Sequence, residues 1–290
     1  MNNYVLSTCS TCDLPKEYLE KRNIKFVCFH FSIDGKNYKD DLGQTMPYDK
    51  FYDAIVKSSD SKTSQVNVKE FLDYFTPILE EGKDILHISM STGLSGVYNS
   101  AKIAATELSE KFPDRKILIV DSLAGSSGLG LIMATLADMR DEGKTIDELC
   151  DWIELNKCKM HHWFFTSDLS FYIRGGRISK TAGFFGTVLK ICPVLHVDSQ
   201  GKLAPVTKVR TKKKAILEML NRMIQNAKDG LNYSGKCFIS HSNCYDDARQ
   251  LADLIEEKFK NLASPVLINY VGTTIGCHTG PGTVALYFWG

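Results

Sequence analysis

Ile85-Leu86-His87-Ile88-Ser89-Met90-Ser91-Thr92-Gly93-Leu94-Ser95-Gly96-Val97-Tyr98-Asn99-Ser100-Ala101 is the stretch that decides the fold. Its first five residues are the apolar run of a buried strand. Residues 90–96 form a small, hydroxyl-rich turn, and Val97 opens a helical pattern that reaches about residue 111. A strand, a Gly/Ser turn and a helix start together make an anion site. The first backbone N–H groups of the helix have no intrahelical partner, and that end of the helix dipole is positive. The turn contains no lysine, so it is not a phosphate loop of the Gly-Lys-Ser/Thr kind. Uncharged hydroxyls at a helix start suit a carboxylate better than a triphosphate.

The residues before this stretch read as further strands and helices. A strand covers 3–7, Pro15 starts a helix to about Arg22, and β-branched and aromatic residues predict one strand over 25–33. Asp34-Gly35 is a turn dipeptide that sends the chain back through Asn37-Tyr38. Helical spacing marks 47–57 and 68–81, with 58–64 as a polar loop between them. Beyond the deciding stretch come a strand over 116–120, Asp121-Ser122 at its end, and a helix over 123–140. That helix begins with the small residues Ala124, Gly125, Ser126, Ser127, Gly128 and Gly130. Each glycine inside a helix costs about 1 kcal/mol against alanine, so a close neighbour or a ligand is expected there. The alternation predicts a parallel, Rossmann-like α/β sheet whose ligands lie beyond the strand C-termini.

The second half has a different rhythm. Strands are expected over 163–166, 191–197, 203–209, 236–240, 266–271 and 283–288, with helices over 182–190, 212–227 and 245–260. Asp198-Ser199-Gln200-Gly201 joins two of the strands as a hairpin. The expected architecture is an N-terminal α/β domain over 1–160 and a C-terminal α+β domain over 161–290, with the ligand cleft between them.

Bulk composition narrows the function. The 290 residues carry a formal net charge of +1, which gives no drive toward nucleic acid or an anionic membrane. The basic run Lys208-Val209-Arg210-Thr211-Lys212-Lys213-Lys214 falls where a strand gives way to a helix and reads as a solvated helix start, with a partner surface as the alternative. No apolar run approaches the ~20 residues of a membrane span, and Met1-Asn2-Asn3-Tyr4 has no basic n-region, so no signal peptide is expected. Nine scattered cysteines do not make a disulfide framework, so free thiols in a reducing cytoplasm are expected. A monomer is the default state.

Several motifs, in order, carry a resemblance. Leu94-Ser95-Gly96-Val97-Tyr98-Asn99-Ser100-Ala101 resembles the Leu-Ser-Gly-Thr-Tyr-x-Ser-Ala signature of the DegV family of bacterial fatty acid-binding proteins. Asp13-Leu14-Pro15 and Thr63-Ser64-Gln65 precede it. Asp121-Ser122, Gly175-Gly176-Arg177-Ile178, Leu189-Lys190-Ile191-Cys192-Pro193-Val194-Leu195 and His278-Thr279-Gly280-Pro281-Gly282 follow it. Some members serve as the lipid-carrying subunit of fatty acid kinase. The resemblance implies a long-chain, palmitate-like fatty acid as ligand, with no cofactor or metal. It implies Thr63 and Ser95 on the carboxylate, and His278 and Arg177 in the surrounding hydrogen-bond network. It also implies a separate kinase subunit and acyl-transfer enzymes as partners, and a role in phospholipid synthesis. Val66 stands where the family often has proline, so the loop after Thr63 departs from the pattern.

Each candidate has a plainer reading. Thr63 and Ser95 could simply cap helices, as hydroxyl residues often do. Arg177 could be a structural ion pair, and His278 a turn histidine. Phe184, Phe185, Val188 and Leu189 form an apolar helix that is either core or the lining of an acyl-chain tunnel. Cys9-Ser10-Thr11-Cys12 has the spacing and setting of a thioredoxin-like redox motif, where a helix start would lower a thiol pKa. Cys9 also stands where the family has aspartate, which explains the pair without redox chemistry. His161-His162 would face opposite sides of a strand and makes a poor metal pair. Two enzymatic readings compete with the carrier. An esterase-like Ser95/His278 pair lacks the Gly-x-Ser-x-Gly elbow, because Gly93 lies two residues before Ser95 and Gly96 directly after it. Intrinsic kinase activity would rest on a likeness to dihydroxyacetone kinase folds alone, and fold is weak evidence for chemistry.

Overall fold

The computed structural model describes residues 3–58, 60–178 and 191–290. Its elements run β1 (Tyr4–Cys9), α1 (Lys16–Lys21), β2 (Ile24–Val27), β3 (His30–Ile33), β4 (Lys36–Lys39), α2 (Tyr48–Lys57), β5 (Ser61–Ser64), α3 (Val68–Glu80), β6 (Asp84–Ser89), α4 (Val97–Lys111), β7 (Ile117–Asp121), α5 (Ser126–Asp141) and α6 (Ile146–Asn156). They continue with β8 (Met160–Phe165), α7 (Ser170–Arg174), β9 (Ile191–Val197), β10 (Leu203–Arg210), α8 (Lys212–Asn226), β11 (Phe238–His241), α9 (Tyr245–Lys258), β12 (Leu267–Tyr270), α10 (Thr273–Thr279) and β13 (Val284–Trp289).

The described residues form three sheets. A four-stranded parallel sheet has the order β2-β1-β6-β7. β1 and β6 are buried along nearly their whole length, as expected for parallel strands covered on both faces. A six-stranded mixed sheet has the order β10-β9-β8-β13-β11-β12, and a three-stranded antiparallel sheet has the order β4-β3-β5. The chain is thus the α/β and α+β combination expected from the sequence. Two local expectations fail. The single strand over 25–33 is broken at Cys28-Phe29 and feeds two different sheets. The polar loop over 58–64 contains β5, which pairs antiparallel with β3 and puts Phe31 opposite Thr63.

Helix α5 joins the two larger sheets, and its glycines have a packing cause. A Cβ on Gly128 would stand 2.3 Å from His162 Cδ2 of β8 and 2.9 Å from Tyr287 Cδ1 of β13. A Cβ on Gly130 would stand 2.6 Å from the Cys12 carbonyl on the other side. The helix starts three residues later than expected because Leu123 and Ser126 adopt positive φ angles of 53°. Leu129, Leu131, Ile132 and Met133 fill the core around it. A smaller cluster of Phe31, Phe51, Tyr52, Ile55 and Cys277 packs α2 and α10 against the small sheet.

Candidate functional site

Thr63 owes its place to two packing events. Pairing of β5 with β3 fixes its backbone. Burial of Cys277 beside Phe31 and Phe51 fixes α10, whose last turn carries His278. The result is a 2.8 Å hydrogen bond between Thr63 Oγ1 and His278 Nε2, across 215 residues of chain. Burial, and then the Arg177 charge, push the imidazole down to about 4, against an opposing influence from the Gly175 backbone. The ring is therefore neutral at pH 7. Its Nδ1 lies against Gly175 without a well-formed hydrogen bond.

Ser95 sits in the turn between β6 and α4. Its Oγ accepts the Val97 N–H at 3.2 Å, so it does serve the helix start. It also donates to Gln65 Oε1 at 3.2 Å, and Gln65 Nε2 in turn donates to Ser100 Oγ at 3.1 Å. The turn is held from below by Asp121, whose carboxylate accepts the Thr92 N–H and hydroxyl at 3.2 and 2.6 Å. From the side, the β9–β10 hairpin docks on it. Ser91 Oγ donates to the Gly201 carbonyl at 2.8 Å, and a Cβ on Gly93 would come within 2.5 Å of that carbonyl oxygen.

Thr63, Ser95, His278 and Arg177 all line one cavity of about 410 Å³. Phe29, Met90, Leu94, Phe164, Leu203 and Ile275 supply apolar wall. Arg177 is the one cationic side chain among the described lining residues, and no aspartate or glutamate is among them. Its guanidinium donates to the Gly175 carbonyl at 2.6 Å and the Leu94 carbonyl at 3.4 Å, and burial lowers its pKa. An apolar cavity with hydroxyls, a neutral imidazole and one arginine at its polar side suits an amphipathic anion.

The DegV family model matches residues 6–289. The chain belongs to the DegV family. A DegV domain-containing protein of Clostridium perfringens, CPE0026, is 38% identical over 293 residues, covering 100% of this chain and 98% of that one. The solved structure of a DegV family protein from Thermus thermophilus, described by its fatty acid binding, has a TM-score of 0.87 at 27% identity and covers 98% of each chain. The Streptococcus pneumoniae fatty acid kinase (Fak) B3 protein, solved with linoleic acid, has a TM-score of 0.85 at 22% identity and covers 100% of this chain and 99% of that one, a likeness of fold.

Within the DegV fold, the residues singled out from the sequence are distributed as follows. Thr63 lies on a strand and caps no helix, and it is bonded to His278. Ser95 and Arg177 share the cavity with that pair. His278 belongs to a short helix that the sequence reading did not anticipate. Arg177 bonds backbone carbonyls rather than a carboxylate. Phe184, Phe185, Val188 and Leu189 lie outside the described residues. The bond that an esterase-like Ser95 would need from His278 Nε2 is made by Thr63. Cys9 and Cys12 are fully buried, and burial pushes the Cys9 thiol up to about 12 and the Cys12 thiol up as well, the reverse of redox activation. His161 and His162 do diverge, with His161 stacked on Phe288 and His162 edge-on to Tyr287. The sequence reading missed Gln65 as the partner of Ser95, although Thr63-Ser64-Gln65 stood out as a motif. It also missed the alternating face of β13, Ala285 and Tyr287, which lines the cavity.

Proposed function

We propose that this chain binds one long-chain fatty acid, holds its carboxylate at Thr63 and Ser95, and encloses the acyl chain along the apolar walls of the cavity. The observation that carries the reading is the joining of an apolar cavity of about 410 Å³ to a polar end with hydroxyls and one arginine. The fatty acid binding of the Thermus thermophilus relative supports it. His278 is neutral, and in its Nε2–H tautomer it donates to Thr63 Oγ1, which frees the Thr63 hydroxyl hydrogen for a carboxylate oxygen. Ser95 would exchange its long 3.2 Å bond to Gln65 for a bond to the charged ligand, which is the stronger kind. Arg177 adds the compensating charge.

Affinity and orientation come from different parts of the ligand. At about 0.8 kcal/mol per buried methylene, some 14 of them give roughly 11 kcal/mol gross. Association costs about 4–15 kcal/mol. The chain must therefore supply most of the affinity, and the hydroxyls fix which end is where. Hydroxyl contacts leave the carboxylate able to attack a phosphoryl group. This fits a non-catalytic carrier that presents the acid to a separate cytoplasmic fatty acid kinase for acyl-phosphate formation. The ligand would lie between the 1–160 and 161–290 parts of the chain. Titration calorimetry with palmitate and with hexadecanol tests the reading. The acid should bind more tightly than the alcohol of equal length, and equal affinities, or none for either, would refute it.

A further inference from the structure

The cavity has a second one beside it. The floor of the first follows one face of the mixed sheet. Thr283 lies just ahead of β13, and Ala285 and Tyr287 follow at alternate positions, with Phe164 and His162 of β8 opposite them. At ~3.3 Å per residue this face is about 13 Å long from Thr283 to Tyr287. The Thr283 end adjoins α10 and His278, through the turn that links α10 to β13. His162 and Tyr287 therefore stand at the end of this face away from His278. Behind them lies a cavity of about 320 Å³. Among the described residues, only His162 and Val197 line both cavities.

His162 is held firmly. It is 4% exposed, its ring stands at 85° to Tyr287 with centroids 5.7 Å apart, and Gly128 of α5 presses on its other edge. The space beyond is more polar than the first cavity, with Lys157, His161, His196, Asp198 and Asn226 beside Leu123, Met160 and Trp163. A terminal methyl group gains little by entering such surroundings.

We infer that His162, with Val197 beside it, is the end stop of the acyl cavity and sets the longest chain this protein binds well. The inference rests on the fatty-acid reading above and adds a residue that decides specificity within it. The test is a displacement titration with saturated acids of increasing length, on wild type, His162→Ala and Val197→Ala. For wild type, each added methylene should tighten binding about fourfold up to one limiting length, with no further gain beyond it. In His162→Ala the gain should continue for about two more carbons, which take the space of the removed imidazole, and then stop. Val197→Ala should move the break in the same direction by less, and it decides the matter if His162→Ala does not fold. A wild-type profile without a break, or a break that stays in place in the variants that fold, would overturn the end stop while leaving the carrier intact. No binding at any length would overturn the carrier reading itself.

Discussion

Replacing Thr63 by valine isolates the head-group contribution, because it removes one hydroxyl at nearly constant volume. The 2.8 Å bond to His278 is lost from both the free and the bound protein, so it cancels from the binding energy. What remains is one hydrogen bond to a charged acceptor, about 1.5–3 kcal/mol. At 1.4 kcal/mol per tenfold, palmitate should bind roughly 10- to 150-fold more weakly. Hexadecanol offers a neutral partner, worth about 0.5–1.5 kcal/mol, and should lose roughly tenfold at most. Calorimetry or displacement of a fluorescent fatty acid reads both ligands, and a thermal melt confirms that the variant folds. Equal losses for acid and alcohol, or less than about a threefold loss for the acid, would refute the carboxylate contact.

Acid should destabilise the protein through its buried imidazoles. Burial holds His278 and His241 down to about 4, and His87 and His162 down to about 3, from an ordinary 6.5. The unfolded chain binds more protons below about pH 6.5, so the stability these groups contribute is full above that pH and is lost as pH falls toward their folded values. Burial raises the pKa of Asp13 and Asp40, whose protonation works the other way, so NMR reads the histidine part: these four imidazoles should not titrate near pH 6.5, and titration there would contradict the burial. Gly128→Ala should lower the denaturation midpoint. The helix gains about 1 kcal/mol, but a Cβ 2.3 Å from the His162 ring overpacks the core at a cost of about 1–3 kcal/mol. A raised midpoint would mean that α5 is not wedged as described. Alkylation of the native protein should label the exposed Cys158 and spare the buried Cys9 and Cys12 until the chain unfolds. Peptide mass mapping checks this, and rapid labelling of Cys9 or Cys12 would contradict it.

The parts of the site that were legible in the sequence are the local ones. A turn of Ser, Thr and Gly between an apolar run and a helix pattern declares an anion-binding helix start, and Ser95 stands there. Thr63 was legible only through its motif. β5 reads Ser-Lys-Thr-Ser, with no apolar alternation, and it is a strand because β3 supplies its hydrogen bonds. The strand expected over 25–33 looked continuous because residues on both sides of Cys28-Phe29 are β-formers. Only the two sheets show that the chain changes layer there. Helix α10, of seven residues rich in threonine and glycine, has little intrinsic helix propensity and exists by packing on the cluster around Phe31 and Phe51. The Thr63–His278 bond spans 215 residues, and no local pattern announces such a pairing. The small residues of α5 did point to a close neighbour, and Gly128 has one in His162. Which neighbour it would be depended on how the mixed sheet packs.

The proposed carrier role depends on a fatty acid held by its carboxylate at Thr63 and Ser95. Native mass spectrometry of the purified protein, followed by organic extraction, should show an added mass matching one fatty acid of about 14–18 carbons, absent from a Thr63→Ala/Ser95→Ala double variant that still folds. A lipid that stays bound in the double variant would contradict the head-group site. A protein that purifies without lipid and takes up neither palmitate nor oleate would contradict the claim as a whole.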